Sequence, residues 1–145
     1  RELGLQAEYA ISLGDQANIL HARGDLDGAM TLYERAERLC RELDDKDGLQ
    51  AALGNQASIL TNRGDLDGAM ALYRQQEQAC RNSGLPDGLA RSLTNQAITL
   101  TGHMHRPAEG VPLAEEAYRV ASEHGLTELA EQIKPILDEI RSKLP

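Results

Sequence analysis

His103 and His105, separated by a single residue, form the pair in this chain whose spacing could hold a transition metal. Zinc sites draw three or four Cys, His or carboxylate ligands to one point. No Cys or acid accompanies this pair at a recognisable spacing, and Met104 lies between the two, so the segment reads as a worn turn. Cys40 and Cys80, His21 and the serines occur without any nucleophile motif, and the glycines recur at a fixed interval instead of gathering into a phosphate-binding loop. Asp44-Asp45-Lys46-Asp47 is acidic enough to attract a cation but lacks the ligand spacing of a calcium loop, and reads as helix caps. The expectation is therefore no enzyme, no cofactor and no bound metal.

These residues are spread by a repeat. Leu13-Gly14-Asp15-Gln16-Ala17-Asn18-Ile19-Leu20 returns forty residues later as Leu53-Gly54-Asn55-Gln56-Ala57-Ser58-Ile59-Leu60, and again as Leu93-Thr94-Asn95-Gln96-Ala97-Ile98-Thr99-Leu100. Arg23-Gly24-Asp25-Leu26-Asp27-Gly28-Ala29-Met30 recurs letter for letter at Arg63 to Met70. A period between 20 and 50 residues means stacked supersecondary units, each burying the apolar face of its neighbour. The units run at about 7–46, 47–86 and 87–126, within one domain that spans 1–145. The third is altered: His103-Met104-His105-Arg106-Pro107 replaces the Gly-Asp turn and is one residue longer, and register is expected to return at Gly125-Leu126. The opening Arg1-Glu2-Leu3-Gly4 resembles Arg41-Glu42-Leu43-Asp44, the tail of a second helix, which leads to the expectation that the chain begins inside a longer array.

Composition narrows the partners. With no Trp or Phe and only four Tyr, the interior must be Leu, Ala, Ile and Met in closely packed helices, which favours an all-α fold. Fifteen basic against twenty-three acidic residues leave a net charge of −8, with no Lys or Arg cluster for phosphates; nucleic acid and anionic membranes are poor partners. No run approaches the roughly 18 apolar residues of a membrane span, and no signal-peptide pattern opens the chain. Cys40 and Cys80 stand at equivalent places one whole repeat apart, farther than the roughly 7 Å between Cα atoms that a disulfide allows. Both are expected as buried free thiols, consistent with a cytoplasmic location.

Each unit holds two helical patterns. Leu49, Leu53, Ala57 and Leu60, like Leu89, Leu93, Ala97 and Leu100, make a 4-4-3 stripe that must face another helix. The second helix starts near Asp27 with Ala29, Met30, Tyr33, Ala36 and Cys40 inward, and Glu34/Arg38 and Glu37/Arg41 as a solvated outer face. Asp27 and Asp67 are expected as N-caps, and Gly84 and Gly125 as left-handed residues closing helices. A last helix, 127–144, caps the stack; Pro135 should kink it or divide it, and a kink is preferred.

Leu13, Ala17, Leu20, Gly24-Asp25, Ala29, Tyr33 and Ala36, and their counterparts Leu53, Ala57, Leu60, Gly64-Asp65, Ala69 and Tyr73, resemble the large-small-large helix, Gly-Asp turn and aromatic-small helix of the tetratricopeptide repeat (TPR) family. The match is to its roughly forty-residue, kinesin-light-chain-like and bacterial form. Two places depart from the pattern: Gln76 stands where Ala36 is expected, and Ala114 where the aromatic would be. The resemblance implies an all-α, right-handed α-solenoid of three helix-turn-helix repeats plus a capping helix. It also implies a concave groove, lined by the first helix of each unit, that takes a peptide or helix of a partner protein.

Aligned on the family, the groove residues are Gly14, Asp15, Asn18 and His21; Asn55, Ser58, Thr61 and Asn62; and Arg91, Asn95, Ile98 and Thr101. Asp15, Asn55 and Asn95 are similar to the asparagine ladder that grips a ligand backbone, because an amide offers both a donor and an acceptor. The same three could instead bond to neighbouring helices and hold the stack. The family's carboxylate clamp is only partly present, since Gly14 and Asn95 stand where basic residues are required. With Arg91 near one end and Asp15 near the other, a mixed or weakly basic ligand fits better than a strongly acidic one. Two roles remain open: a scaffold module for protein–protein interaction, or the ligand-sensing arm of a multidomain signalling NTPase. Self-association through an apolar repeat end at Leu3, Leu5 and Tyr9 is a further possibility.

Overall fold

A computed structural model describes residues 2–145, leaving Arg1 outside. Seven helices follow one another: α1 (Glu2–Ala22), α2 (Leu26–Leu43), α3 (Lys46–Asn62), α4 (Leu66–Ser83), α5 (Pro86–Ile98), α6 (Pro107–Glu123) and α7 (Thr127–Ser142). A π-helical turn, Thr99–His103, extends α5. Each helix packs on the next in sequence, and α1, α3, α5 and α7 also meet in turn, so three hairpins stack in chain order and α7 closes the pile. These are the stacked helical units expected from the period, in the all-α solenoid that the resemblance implied.

Small residues allow the helices to approach. Ala17, Ala57 and Ala97 are fully buried at matching places in the three first helices, as are Ala29 and Ala69 in the second helices, where Gly110 is the third hairpin's counterpart. Tyr33 and Tyr73 fill the space beside the first two pairs. In the third hairpin Ala114 takes the tyrosine's place, and Leu137 and Ile140 of α7 join Ala97 and Ala114 in one cluster. The capping helix thus supplies apolar volume to the hairpin that lacks the aromatic.

The turns explain both the repeated letters and one correction. Gly24 and Gly64 adopt φ of 85° and 81°, a region that costs L-residues about 1–2 kcal/mol. Asp25, Asp45 and Asp65 then each accept a backbone hydrogen bond from the glycine three residues on, Gly28, Gly48 and Gly68, at 3.0 Å. These aspartates, and not Asp27 and Asp67, are the N-caps. A side chain on any of the three glycines would put its Cβ within 2.5 Å of the capping carboxylate. Asp27 and Asp67 lie inside the first helical turn, and Asp27 pairs with Arg63 of the next hairpin. At the helix C-termini, Gly84 and Gly125 are left-handed as expected, with Asp44 (φ 56°) in the same role after α2. The amides of Leu85 and Leu126 close back on the carbonyls of Cys80 and Ala121.

The extra residue of the third unit is wound into the π turn, where the Met104 amide bonds to the Thr99 carbonyl at 3.0 Å. His105, at φ 58°, takes over the left-handed place of Gly24 and Gly64. Register does not return at Gly125: it stays one residue late, since Gly84 and Gly125 are 41 apart. Residues 2–4 belong to the first turn of the continuous helix α1, not to the tail of a separate helix. α7 runs through Pro135 undivided. Cys40 and Cys80 are both free and buried. Among the described residues, no helix is long and apolar enough to cross a membrane.

Candidate functional site

α1, α3 and α5 lie side by side, and three adjoining depressions run along the face they share. One of about 190 Å³ is lined by Gly14, Asp15, Asn18 and Asn55; one of about 520 Å³ by Asn18, His21, Asn55 and Asn62; one of about 530 Å³ by Asn55, Ser58, Arg91 and Asn95. Asp15, Asn18, His21, Asn55, Ser58, Asn62, Arg91 and Asn95 are thus brought together, with Asn55 common to all three depressions. The helical period accounts for this: residues at i, i+3 and i+7 of each first helix share a face, and stacking sets these faces edge to edge. Ile98 and Thr101 line a different depression, against Ile136, Ile140 and Lys143.

The polar groups differ in how they are engaged. Tyr33 donates its hydroxyl to Asn18 Oδ1, tying α2 to α1, and burial pushes the Tyr33 hydroxyl pKa up. His21 and Asn62 meet at 3.1 Å across the first two units. Arg91 donates to Asp87 one turn earlier, so its charge is partly spent within α5. Among the described residues, the side chains of Asp15, Asn55 and Asn95 make no hydrogen bond, and they remain open to the depressions that they line.

Other repeated polar residues hold the stack. Gln56 and Gln96, 5% and 2% exposed, donate to Glu37 and Glu77 of the preceding hairpins at 2.7 and 2.9 Å. Arg41 and Arg81 pair with the same two glutamates, and Arg81 reaches on to both carboxylate oxygens of Glu116. Glu37 is therefore part of a clasp between hairpins and not of a solvated outer face. The sequence marked these glutamines only by their recurrence, which equally fits a groove position.

The floor of the depression between α3 and α5 contains residues that sequence reasoning did not assign. Gln76 and Gln50 line it together with Asp47 and Asp87, and Gln76 is the substitution that breaks the small-residue pattern. Burial pushes the Cys40 and Cys80 thiols up to about 11, with the carboxylates of Asp45, and of Asp47 and Asp87, adding to the effect; such thiols are poor nucleophiles. His103 and His105 are exposed in the altered turn, and no group of three His, Cys, Asp or Glu side chains is placed to hold a metal among the described residues.

The Tetratricopeptide repeat family profile matches residues 12–47 and 52–86, the first two hairpins. Solved structures that share the fold include aspartyl phosphate phosphatase F from Bacillus subtilis, 14% identical with a TM-score of 0.87 over 94% of this chain. BtubC (BKLC) from P. vanneervenii is 18% identical with a TM-score of 0.60 over 92% of the chain. Kinesin-light-chain-type TPR-like repeats from Podosopora anserina are 15% identical, with a TM-score of 0.61 over 97% of the chain and 82% of their own length. The chain spans 36% of the phosphatase and 63% of BtubC. Comparison with curated protein sequences returns no match.

Proposed function

We propose that the face shared by α1, α3 and α5, in an array whose first two hairpins match the tetratricopeptide repeat family, binds an extended peptide of a partner protein. Repeats of this family generally mediate protein–protein interaction. The observation that carries the finer reading is that Asn55 and Asn95, one repeat apart, present side-chain amides with no internal partner to adjoining depressions. Asp15 continues the row on α1. Amides at this interval can satisfy the N–H and C=O groups of an extended backbone with little regard to its side chains. The role is that of a non-catalytic scaffold module, acting in the cytoplasm, where Cys40 and Cys80 stay reduced.

The test is the double substitution Asn55→Ala with Asn95→Ala, read by fluorescence anisotropy against a pool of end-capped degenerate octapeptides. Affinity is expected to fall while the melting temperature stays nearly unchanged, because neither amide supports the fold. A large loss of stability with unchanged affinity overturns the reading.

The sensor-arm role has support of a different kind. This chain aligns with about a third of the longer phosphatase chain, so a stretch of this fold does occur within a larger protein. A nucleotide-binding motif encoded upstream in the gene would favour it, and further repeats alone would favour the scaffold. Self-association rests on α1, where Leu3, Leu5, Tyr9 and Ile11 are 68%, 63%, 49% and 65% exposed.

A further inference from the structure

The second unit carries a chain of polar groups that its neighbours lack, and its direction is fixed by chemistry. Asp47 can only accept, so Gln50 must turn its amide nitrogen toward it, at 3.0 Å. The Gln50 oxygen then faces Gln76, whose amide nitrogen donates to it at 2.8 Å. Gln76 Oε1 is left over: it is buried and has no hydrogen-bond partner, on a side chain only 4% exposed. An amide flip cannot relieve it, because flipping Gln76 would set two oxygens against each other. A buried acceptor without a donor costs about 1–3 kcal/mol.

The two amides are pressed between glycines. A Cβ on Gly54 would lie 2.7 Å from the Gln76 amide nitrogen, and one on Gly88 would lie 2.5 Å from Gln50 Oε1. At the places of Gln50 and Gln76 the first unit has Ala10 and Ala36, and the third has Ala90 and Ala117; at the place of Asp47 they have Ala7 and Asp87. The array is built with small apolar residues here, and the second unit alone sets a glutamine pair beneath the groove. Of the charged residues lining this depression, Asp47 and Asp87 are acidic, and Arg91, the one base, is drawn to Asp87. The site holds a negative excess and an unsatisfied acceptor.

We propose that the depression between α3 and α5 is the pocket for a lysine or arginine side chain of the bound peptide, whose cationic head donates to Gln76 Oε1 between the carboxylates of Asp47 and Asp87. The proposal rests on the peptide-binding reading of the groove and adds a side-chain preference to it. Asn55 and Asn95 hold the ligand backbone at the rim, and the glutamine pair reads one residue below it.

The test uses the 145-residue chain and five end-capped octapeptide pools, each degenerate except for a central Lys, Arg, Gln, norleucine or Glu, with affinities read by fluorescence anisotropy. The Lys and Arg pools are expected to bind about tenfold tighter than the norleucine pool, the discrimination of one charge-assisted hydrogen bond. In Gln76→Met and Gln76→Ala that preference is expected to fall severalfold, to what the carboxylates of Asp47 and Asp87 alone supply, while norleucine-pool affinity is kept. The alanine variant restores the residue found at positions 36 and 117 and so retains the packing of the array. Equal binding of the Gln pool, no cationic preference, or a preference undiminished by both substitutions overturns the proposal and leaves the groove intact. Failure of every pool to bind overturns the groove reading and this one together.

Discussion

Asn18, Asn55 and Asn95 lie on one face, yet only Asn18 is used by the fold, as acceptor for the Tyr33 hydroxyl. Asn18→Ala should therefore destabilise the array by about 1–2 kcal/mol, the cost of leaving that buried hydroxyl without its partner. The Asn55/Asn95 double variant should not, and thermal unfolding of both followed by circular dichroism separates the two roles. The buried thiols give a second expectation. Cys40 and Cys80 have folded pKa values raised from 9.0 to about 11, so above pH 9 the unfolded chain releases protons that the folded chain keeps. Stability should be flat below pH 9 and fall between pH 9 and 11, and Cys40→Ala with Cys80→Ala should flatten the decline in urea titrations at pH 8 and pH 10.5. That these positions share one face was legible in the sequence because they repeat at a fixed interval. The pairing of Asn18 with Tyr33, and of Gln56 and Gln96 with glutamates, was not, because recurrence marks equal placement without saying which side chain meets which.

The helices and their order were legible from the forty-residue period and the apolar stripes, since a 4-4-3 spacing admits one buried face. Helix starts were less so. The repeated Gly-Asp-Leu-Asp offers two aspartates, and only the turn geometry assigns the cap, because the glycine before Asp25 and Asp65 is left-handed and the glycine three residues after accepts no Cβ. Asp65→Ala should cost about 1 kcal/mol, and Asp67→Ala far less, in chemical denaturation. The reverse order would return the cap to Asp67. The third hairpin shows a related limit: an added residue was visible as a shift in alignment, but its accommodation as a π turn depends on hydrogen bonds between Thr99, Leu100, Met104 and Arg106 that no spacing rule reveals. Ala114 likewise looked like a loss until α7 brought Leu137 and Ile140 beside it.

At the scale of the molecule, hairpin stacking gives the chain two unlike surfaces: the shared polar face of α1, α3 and α5, and the exposed apolar residues Leu3, Leu5 and Tyr9 in the first half of α1. If those residues associate, sedimentation velocity should show a larger species growing with concentration, and Leu5→Glu with Tyr9→Glu should abolish it without altering helicity; a single monomeric species throughout would remove the idea. The polar face carries the central claim. Its most direct test is nitrogen-15 NMR of the labelled chain titrated with the capped octapeptide pool, following the side-chain amides. The resonances of Asn55, Asn95 and Gln76 are expected to move together and saturate while those of Gln78 and Asn82 on α4 stay still. Shifts confined to Gln78 and Asn82, or none in Asn55, Asn95 and Gln76 when the pool binds, would contradict the account.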